Sequence, residues 1–222
     1  MKDLFASAPG SPASAYGWVK TRRDSKGVSF VQISDGSTFA DLQGVIAAGT
    51  LDDETLKRLT TGACARFDGE IVASPAAGQA VELRVDGVEI FGDSPADYPL
   101  QKKGATMEFL REVAHLRVRG NTFGAVFRVR SEAAQAIHRF FHARGFHYLH
   151  TPIVTASDAE GAGQMFQVTT AMETGPDGYR VVRKDPADDF FGKPTFLTVS
   201  GQLEAETFAL GMTNVYTFGP TF

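Results

Sequence analysis

The sequence predicts an α+β chain: an all-β first part that closes into a five-stranded barrel, then a mixed part of helices and short strands. Up to about residue 92, short runs of β-branched and aromatic residues alternate with turn signals such as Asp35-Gly36 and Ser74-Pro75. From Ser131 on, Ala133, Ile137, Phe140, Phe141 and Arg144 recur at helical spacing. Hydrophobic residues make up 43% of the 222 and charged residues 22%, with 18 Phe, which is core-forming rather than disordered composition.

The first strand reads as Ala15 to Arg22 and the second as Val28 to Ile33. Asp35-Gly36 predicts a tight hairpin turn into a third strand, Phe39 to Ile46. A short helix follows from Asp52 to Leu59, with acidic residues in its first turn and Gly62 just past its end. Ala63 to Ala73 forms the fourth strand; after the turn Ser74–Gly78, the fifth runs from Val81 to Val85 and on through Val88–Phe91. Five strands with a helix between the third and fourth is the order of an OB-fold barrel, which often binds oligonucleotides on the face of its second and third strands. A purely structural barrel is the alternative.

Gly92 to Pro99 reads as a hinge by composition. The stretch after it, Gln101 to Arg130, is basic through Lys102, Lys103, Arg111, Arg117, Arg119, Arg128 and Arg130, either a solvated face or a phosphate-facing one. Ser131 is expected to cap a helix that Gly145 closes. Phe146 to Pro152 then extends as a strand, and Glu160–Gly163 forms a loop. Ala171 to Pro194, rich in Gly, Pro and Asp, reads as an inserted surface loop. Phe196–Val199 is a strand and Gln202–Leu210 a helix. Val215 to Phe222 reads as a strand heading into a turn, with nothing after it to pair with, so the expectation is the first part of something longer.

The net charge of −4 gives no global signal for nucleic acid, although a local basic face suffices for binding. The lone Cys64 rules out an internal disulfide; its expected role is a small buried apolar residue, and a reducing compartment fits. The N-terminal segment is too polar for a signal peptide, and no window approaches the length of a membrane span, so no membrane partner and a cytoplasmic location are expected.

His138 and His142 stand at i and i+4, with His147 and His150 nearby, but the glutamate of a zinc H-E-x-x-H site is absent and no metal is expected. No G-x-x-x-x-G-K-[ST] loop exists. Glu160, Ser200, Gln202, Glu204 and Glu206 form a more informative polar set, since Ser200-Gly201-Gln202 lies at a strand-to-helix junction. Gln202 offers donor and acceptor to an amino acid, and Glu160 a charge-assisted bond to an ammonium group. The bland alternative is that Ser200 caps the helix while Glu204 and Glu206 are solvated.

Seven blocks stand out in order along the chain: Gly17-Trp18-Val19-Lys20-Thr21-Arg22-Arg23-Asp24-Ser25-Lys26, Tyr98-Pro99-Leu100-Gln101-Lys102-Lys103, Phe109-Leu110-Arg111-Glu112, Asn121-Thr122-Phe123-Gly124, Glu160-Gly161-Ala162-Gly163, Asp189 through Leu203, and Tyr216 through Phe222. Together they resemble the N-terminal part of bacterial-type asparaginyl-tRNA synthetases, class II enzymes of the Asp/Asn/Lys subgroup. The resemblance spans essentially the whole chain. It implies an OB-fold anticodon-binding domain at 1–92, a hinge at 93–125, and at 126–222 the incomplete start of a class II antiparallel-sheet catalytic domain.

The implied anticodon face holds Phe30, on which a base stacks, and Gln43, which reads the central base, with Arg22 and Glu82 as weaker members. Glu160, Ser200, Gln202 and Ala205 would line the amino-acid pocket. Ala205 stands where aspartate-specific relatives carry a lysine, and losing that cation favours the neutral amide of asparagine. Ile137, Phe141 and Pro152 fall on the element that forms the homodimer interface in the family. The implied partners are tRNA(Asn) and L-asparagine, with ATP and Mg2+ as cofactors.

Two departures stand out. Gln164 occupies a position where the family usually has glutamate. The family's second signature continues beyond Phe222 with an ATP-gripping arginine, and the third is absent, so these 222 residues alone are expected to bind tRNA without catalysing. The rival readings are a non-catalytic RNA-binding paralogue and, more weakly, an amidoligase making asparagine.

Overall fold

The computed structural model describes every residue except Lys102, Lys103, Glu160, Ala162, Gly163, Arg183 and Lys184. The chain divides into two compact units, Met1–Arg130 and Ser131–Phe222.

In the first unit, strands β1 (Pro12–Ser25), β2 (Val28–Ser34), β3 (Leu42–Ala47), β4 (Cys64–Ala73) and β5 (Val81–Gly92) close a barrel in the order β1-β2-β3-β5-β4. The long β1 makes closure possible: its first half, Pro12–Trp18, pairs with β4, and its second half, from Trp18, pairs with β2. Alternation along the strands sends Ala15, Val19, Val31, Ile33, Leu42, Ile46, Ala65, Phe67, Ile71, Leu83 and Val85 inward, all almost fully buried. Helix α1 (Asp53–Arg58) lies between β3 and β4; the Asp52 carboxylate accepts from Thr55 N as its cap, and Leu59 at its other end is buried in the core. Gly69 stands where β4 and β5 shift register. A Cβ there would land on the Arg84 carbonyl oxygen, so only glycine fits.

Three first-unit expectations change. The Asp35-Gly36 turn is not a two-residue hairpin but a loop over 35–41, because the Asp35 carboxylate binds Ser37 N and Oγ and so takes that backbone out of the ladder. Phe39 to Asp41 accordingly lie outside β3. Cys64 is only half-buried: with Ala63 and Ala65 inward, the two-residue period turns it outward.

The first unit also holds α2 (Met107–Glu112), capped by Thr106, and the beginning of α3 (Asn121–His142). Ser131 is therefore mid-helix rather than a cap. The helix starts ten residues earlier because Phe123, buried, and Phe127 one turn on give that segment its own packed side. At the other end Gly145 has φ +77, Gly145 N bonds His142 O and Phe146 N bonds Phe141 O, closing the helix as a Schellman motif.

In the second unit, β7 (Val154–Thr155), β11 (Thr195–Leu197) and β8 (Gln167–Val168) form an antiparallel sheet, and α4 (Gln202–Met212) follows β11. The expected long strand after Gly145 is only β6 (His147–Leu149), since Thr151 and Pro152 leave the pairing. The strand near the chain end, β12 (Val215–Thr217), does have a partner: it runs parallel to β6 upstream. The expected loop at 171–194 contains a hairpin, β9 (Met172–Thr174) with β10 (Arg180–Val182), turned by Gly178 at φ +83 and a Gly175 N to Tyr179 O bond of 2.7 Å.

Candidate nucleic-acid interface and amino-acid pocket

The barrel's outer face over β1, β2, β3 and β5 is ordered in two cross-strand rows. One runs Arg23–Phe30–Val45–Arg84, the other Thr21–Gln32–Gln43. Residues level with one another on neighbouring strands share a face, in the antiparallel pairs β1–β2 and β2–β3 and in the parallel pair β3–β5 alike. The Arg23 guanidinium sits 5.1 Å from the Phe30 ring centroid, so one face of the ring is already covered by a cation. In the second row Thr21 Oγ1 donates to Gln32 Oε1 at 2.8 Å. Gln43 Nε2 donates to Glu82 Oε2 at 3.1 Å.

Glu82 is buried although it lies on the outer side of β5. The turn over 74–80 folds across it, and Ser74 Oγ and Gln79 Nε2 both donate to the same carboxylate oxygen, each at 3.2 Å. The carboxylate is thus held by neutral donors and in turn fixes the Gln43 amide. A fixed amide with donor and acceptor beside an aromatic ring suits a nucleobase: the ring takes its face and the amide its edge.

Arg22 is not on this face. It pairs with Val31, whose side chain is inward, and its guanidinium bonds the Leu56 carbonyl of α1 and Asp24 Oδ2 at 3.2 Å. The Ser29 hydroxyl, then Arg22, hold the Asp24 carboxyl below its usual range. Arg23, not singled out from the sequence, is the arginine that reaches the ring. The signal lay in the register: Lys20 falls at a bulge between Val19 and Thr21, which decides which of the two arginines turns outward.

The basic stretch after the barrel is partly used in packing. Arg117 lies over Phe123 at 4.8 Å and Arg119 over Trp18 at 4.3 Å. Lys102 and Lys103 lie outside the described residues.

In the second unit Ser200 and Gln202 meet at the start of α4, where Ser200 Oγ accepts from Gln202 N at 3.1 Å. Gln202 Nε2 donates to Glu206 Oε1 one turn on, at 2.9 Å. Ala205 is half-buried on the same helix. Gly201 packs so closely on the Thr151 side chain that a Cβ would not fit, which ties this junction to the segment of Pro152. Glu160, the fourth expected pocket residue, lies outside the described residues.

Of the expected interface residues, Ile137 and Pro152 are exposed. Phe141 instead stacks on Tyr216, 4.5 Å between centroids, and meets Phe146 edge-on. His138 Nδ1 lies 2.7 Å from Tyr216 Oη. Among the described residues no three His, Cys, Asp or Glu side chains are grouped so as to hold a metal ion.

A closed OB barrel with an aromatic–amide outer face is an architecture suited to holding single-stranded nucleic acid. Residues 13–91 match the OB-fold nucleic acid binding domain and residues 106–222 match the tRNA synthetases class II (D, K and N). The chain belongs to this class II synthetase family. It is 55% identical over 226 residues to the asparagine–tRNA ligase of Solibacter usitatus, covering 100% of this chain and 47% of that protein. Against the asparagine–tRNA ligase of Phocaeicola vulgatus the identity is 55% over 215 residues, 96% of this chain and 46% of the relative. The chain thus spans about half the length of the curated relatives it matches. The fold is also that of the asparaginyl-tRNA synthetase from Pyrococcus horikoshii complexed with asparaginyl-adenylate, with a TM-score of 0.78 at 22% identity over 96% of this chain and 45% of that one. Among the described residues no helix is long and apolar enough to cross a membrane.

Proposed function

We propose that the chain carries the anticodon-binding part and the leading catalytic segment of an asparagine–tRNA ligase. The reaction joins L-asparagine to ATP, releasing pyrophosphate and leaving asparaginyl-adenylate. The amino acid then passes to the 3′ end of tRNA(Asn), releasing AMP. The observation that carries this reading is the register of the barrel face, which sets Arg23, Phe30, Gln43 and Glu82 side by side.

In this reading an anticodon base stacks on the open side of Phe30, and the Arg23 guanidinium, already against the ring, faces the adjoining phosphate. Glu82 holds Gln43 so that its remaining amide groups read the central base. Gln202, with Ser200 at the α4 junction, receives the polar groups of asparagine; Ala205 offers no cation to a second carboxylate. ATP supplies the leaving group and Mg2+ its charge compensation; the family's homodimer would place Ile137 and Pro152 at the subunit contact, and the work is done in the cytoplasm.

The test pairs two measurements. ATP–pyrophosphate exchange by the protein as the cell makes it should depend on asparagine and not aspartate. The 222 residues should bind an RNA hairpin with a GUU loop more tightly than one with the middle base changed. Aspartate-dependent exchange would overturn the substrate; equal binding of both hairpins would overturn the anticodon face.

A further inference from the structure

The loop over 35–41 joins β2 to β3, the two strands that carry Phe30 and Gln43, and it is gripped from outside the barrel strands. On α3, Arg128 Nη2 donates to the carbonyl oxygens of Gly36 at 2.6 Å and Thr38 at 3.0 Å. Its Nη1 donates to Gly124 O, one turn back on the same helix, at 3.0 Å. The guanidinium fork therefore bridges helix and loop with a geometry that a single ammonium cannot reproduce. At the far end of the loop, Lys20 Nζ bonds Asp41 Oδ2 at 2.8 Å and Asn121 Oδ1, the first residue of α3, also at 2.8 Å. Both ends of the loop are thus tied to one helix.

The loop begins three residues past Gln32 and ends two before Gln43, and those glutamines are cross-strand partners. The loop lies outside the ladder, so side-chain and terminal groups set its shape. The Met1 ammonium bonds Asp35 Oδ2 at 2.7 Å, Lys2 N donates to Ser37 Oγ at 3.2 Å and Thr38 Oγ1 donates to Ala40 O at 2.6 Å, while Arg128 takes the carbonyl oxygens of Gly36 and Thr38. Among the described residues Arg128 has no carboxylate partner; its bonds go to carbonyl groups. We infer that Arg128 is a positioning residue for base reading: by pinning Gly36 and Thr38 it fixes the β2–β3 end and with it the angle at which Gln43 meets the RNA. The inference rests on the proposed anticodon face.

The experiment compares the 222-residue chain with Arg128→Ala and Arg128→Lys. Hydrogen exchange of the amides at 36–41 is read first, then affinity for the GUU hairpin and for one with the middle base changed. Arg128→Ala should speed exchange in the loop and reduce the ratio of the two affinities about tenfold, with Arg128→Lys in between, while exchange in the barrel core stays slow. Unchanged loop exchange overturns the pinning. Faster exchange with an unchanged ratio overturns the link to reading, and an equal loss on both hairpins assigns Arg128 to phosphate contact instead. If the parent chain fails to distinguish the hairpins, the anticodon reading itself has failed, and with it the positioning role, even where loop exchange still responds.

Discussion

A phenyl ring on an outward strand position is costly to leave in water, and Phe30 resolves this by sharing one face with Arg23 at 5.1 Å. In the proposed anticodon face, a base stacks on the other side of the ring. Stacking of a base on an aromatic ring is worth about 1–3 kcal/mol. Phe30→Ala should therefore weaken hairpin binding about tenfold to a hundredfold in a filter assay, without unfolding a barrel whose core is the inward set around Phe67 and Leu83. A Phe30→Ala chain that binds as tightly as the parent would remove the ring from the interface. The neighbouring Arg22 shows how finely strand geometry decides roles. One residue along β1 it points the other way, to the Leu56 carbonyl, and its substitution should loosen α1 rather than the RNA.

At the scale of elements, the barrel strands, α1 and the closing glycine of α3 were legible because each is written locally: two-residue alternation, an Asp52 cap, Gly145 at a helix end. The loop over 35–41, the true start of α3 and the hairpin in the insertion were not. The loop's carbonyl groups are satisfied by a residue distant in sequence, Arg128 reaching Gly36 across 92 positions, whereas the hairpin's bonds are local, Gly175 N to Tyr179 O, and were hidden in a stretch whose Gly, Pro and Asp content reads as a loop. The site shared this division. Phe30 and Gln43 were singled out only through the roles the resemblance implies, and the covering of Phe30 by Arg23 depends on a bulge that no local pattern announces.

The insertion offers an element-scale prediction. Asp189 Oδ1 accepts from Thr170 N at 2.9 Å, Thr170 Oγ1 at 2.9 Å and Phe190 N at 2.8 Å, closing the excursion that holds the β9–β10 hairpin. The Thr169 hydroxyl, then the Thr170 N–H, hold its carboxyl well below the ordinary 3.8. A depressed carboxylate contributes above its unfolded value and loses that contribution as pH falls through the folded one. Asp189→Ala should therefore speed amide exchange in 170–182 at neutral pH, and the gap between variant and parent should narrow only below 3.8. A gap of the same size under strongly acidic conditions would show that the carboxylate is not the anchor.

At the scale of the whole molecule the two units differ in how much they bury. The first contains a continuous core from Ala15 to Val85, with Val31, Ile33, Leu42, Phe67, Ile71 and Leu83 at 0% exposure. Among the described residues of the second, the buried apolar ones are Leu149, Ala159, Ala171 and Tyr216, while Phe166, Tyr179, Phe190 and Leu210 are exposed at 68%, 74%, 79% and 92%. Removing apolar surface from water is the main force that holds a fold together, so local opening should be far easier in the second unit. Limited proteolysis should leave a resistant fragment spanning the barrel strands, Pro12 to Gly92, and cut first in 131–222, beginning at the Gly175–Tyr179 turn of the exposed hairpin. The size of that fragment, read by mass spectrometry, checks the prediction. Equal resistance of both units would mean that the exposed aromatic side chains are covered in solution, and the chain's mass by light scattering would then show whether a second copy covers them.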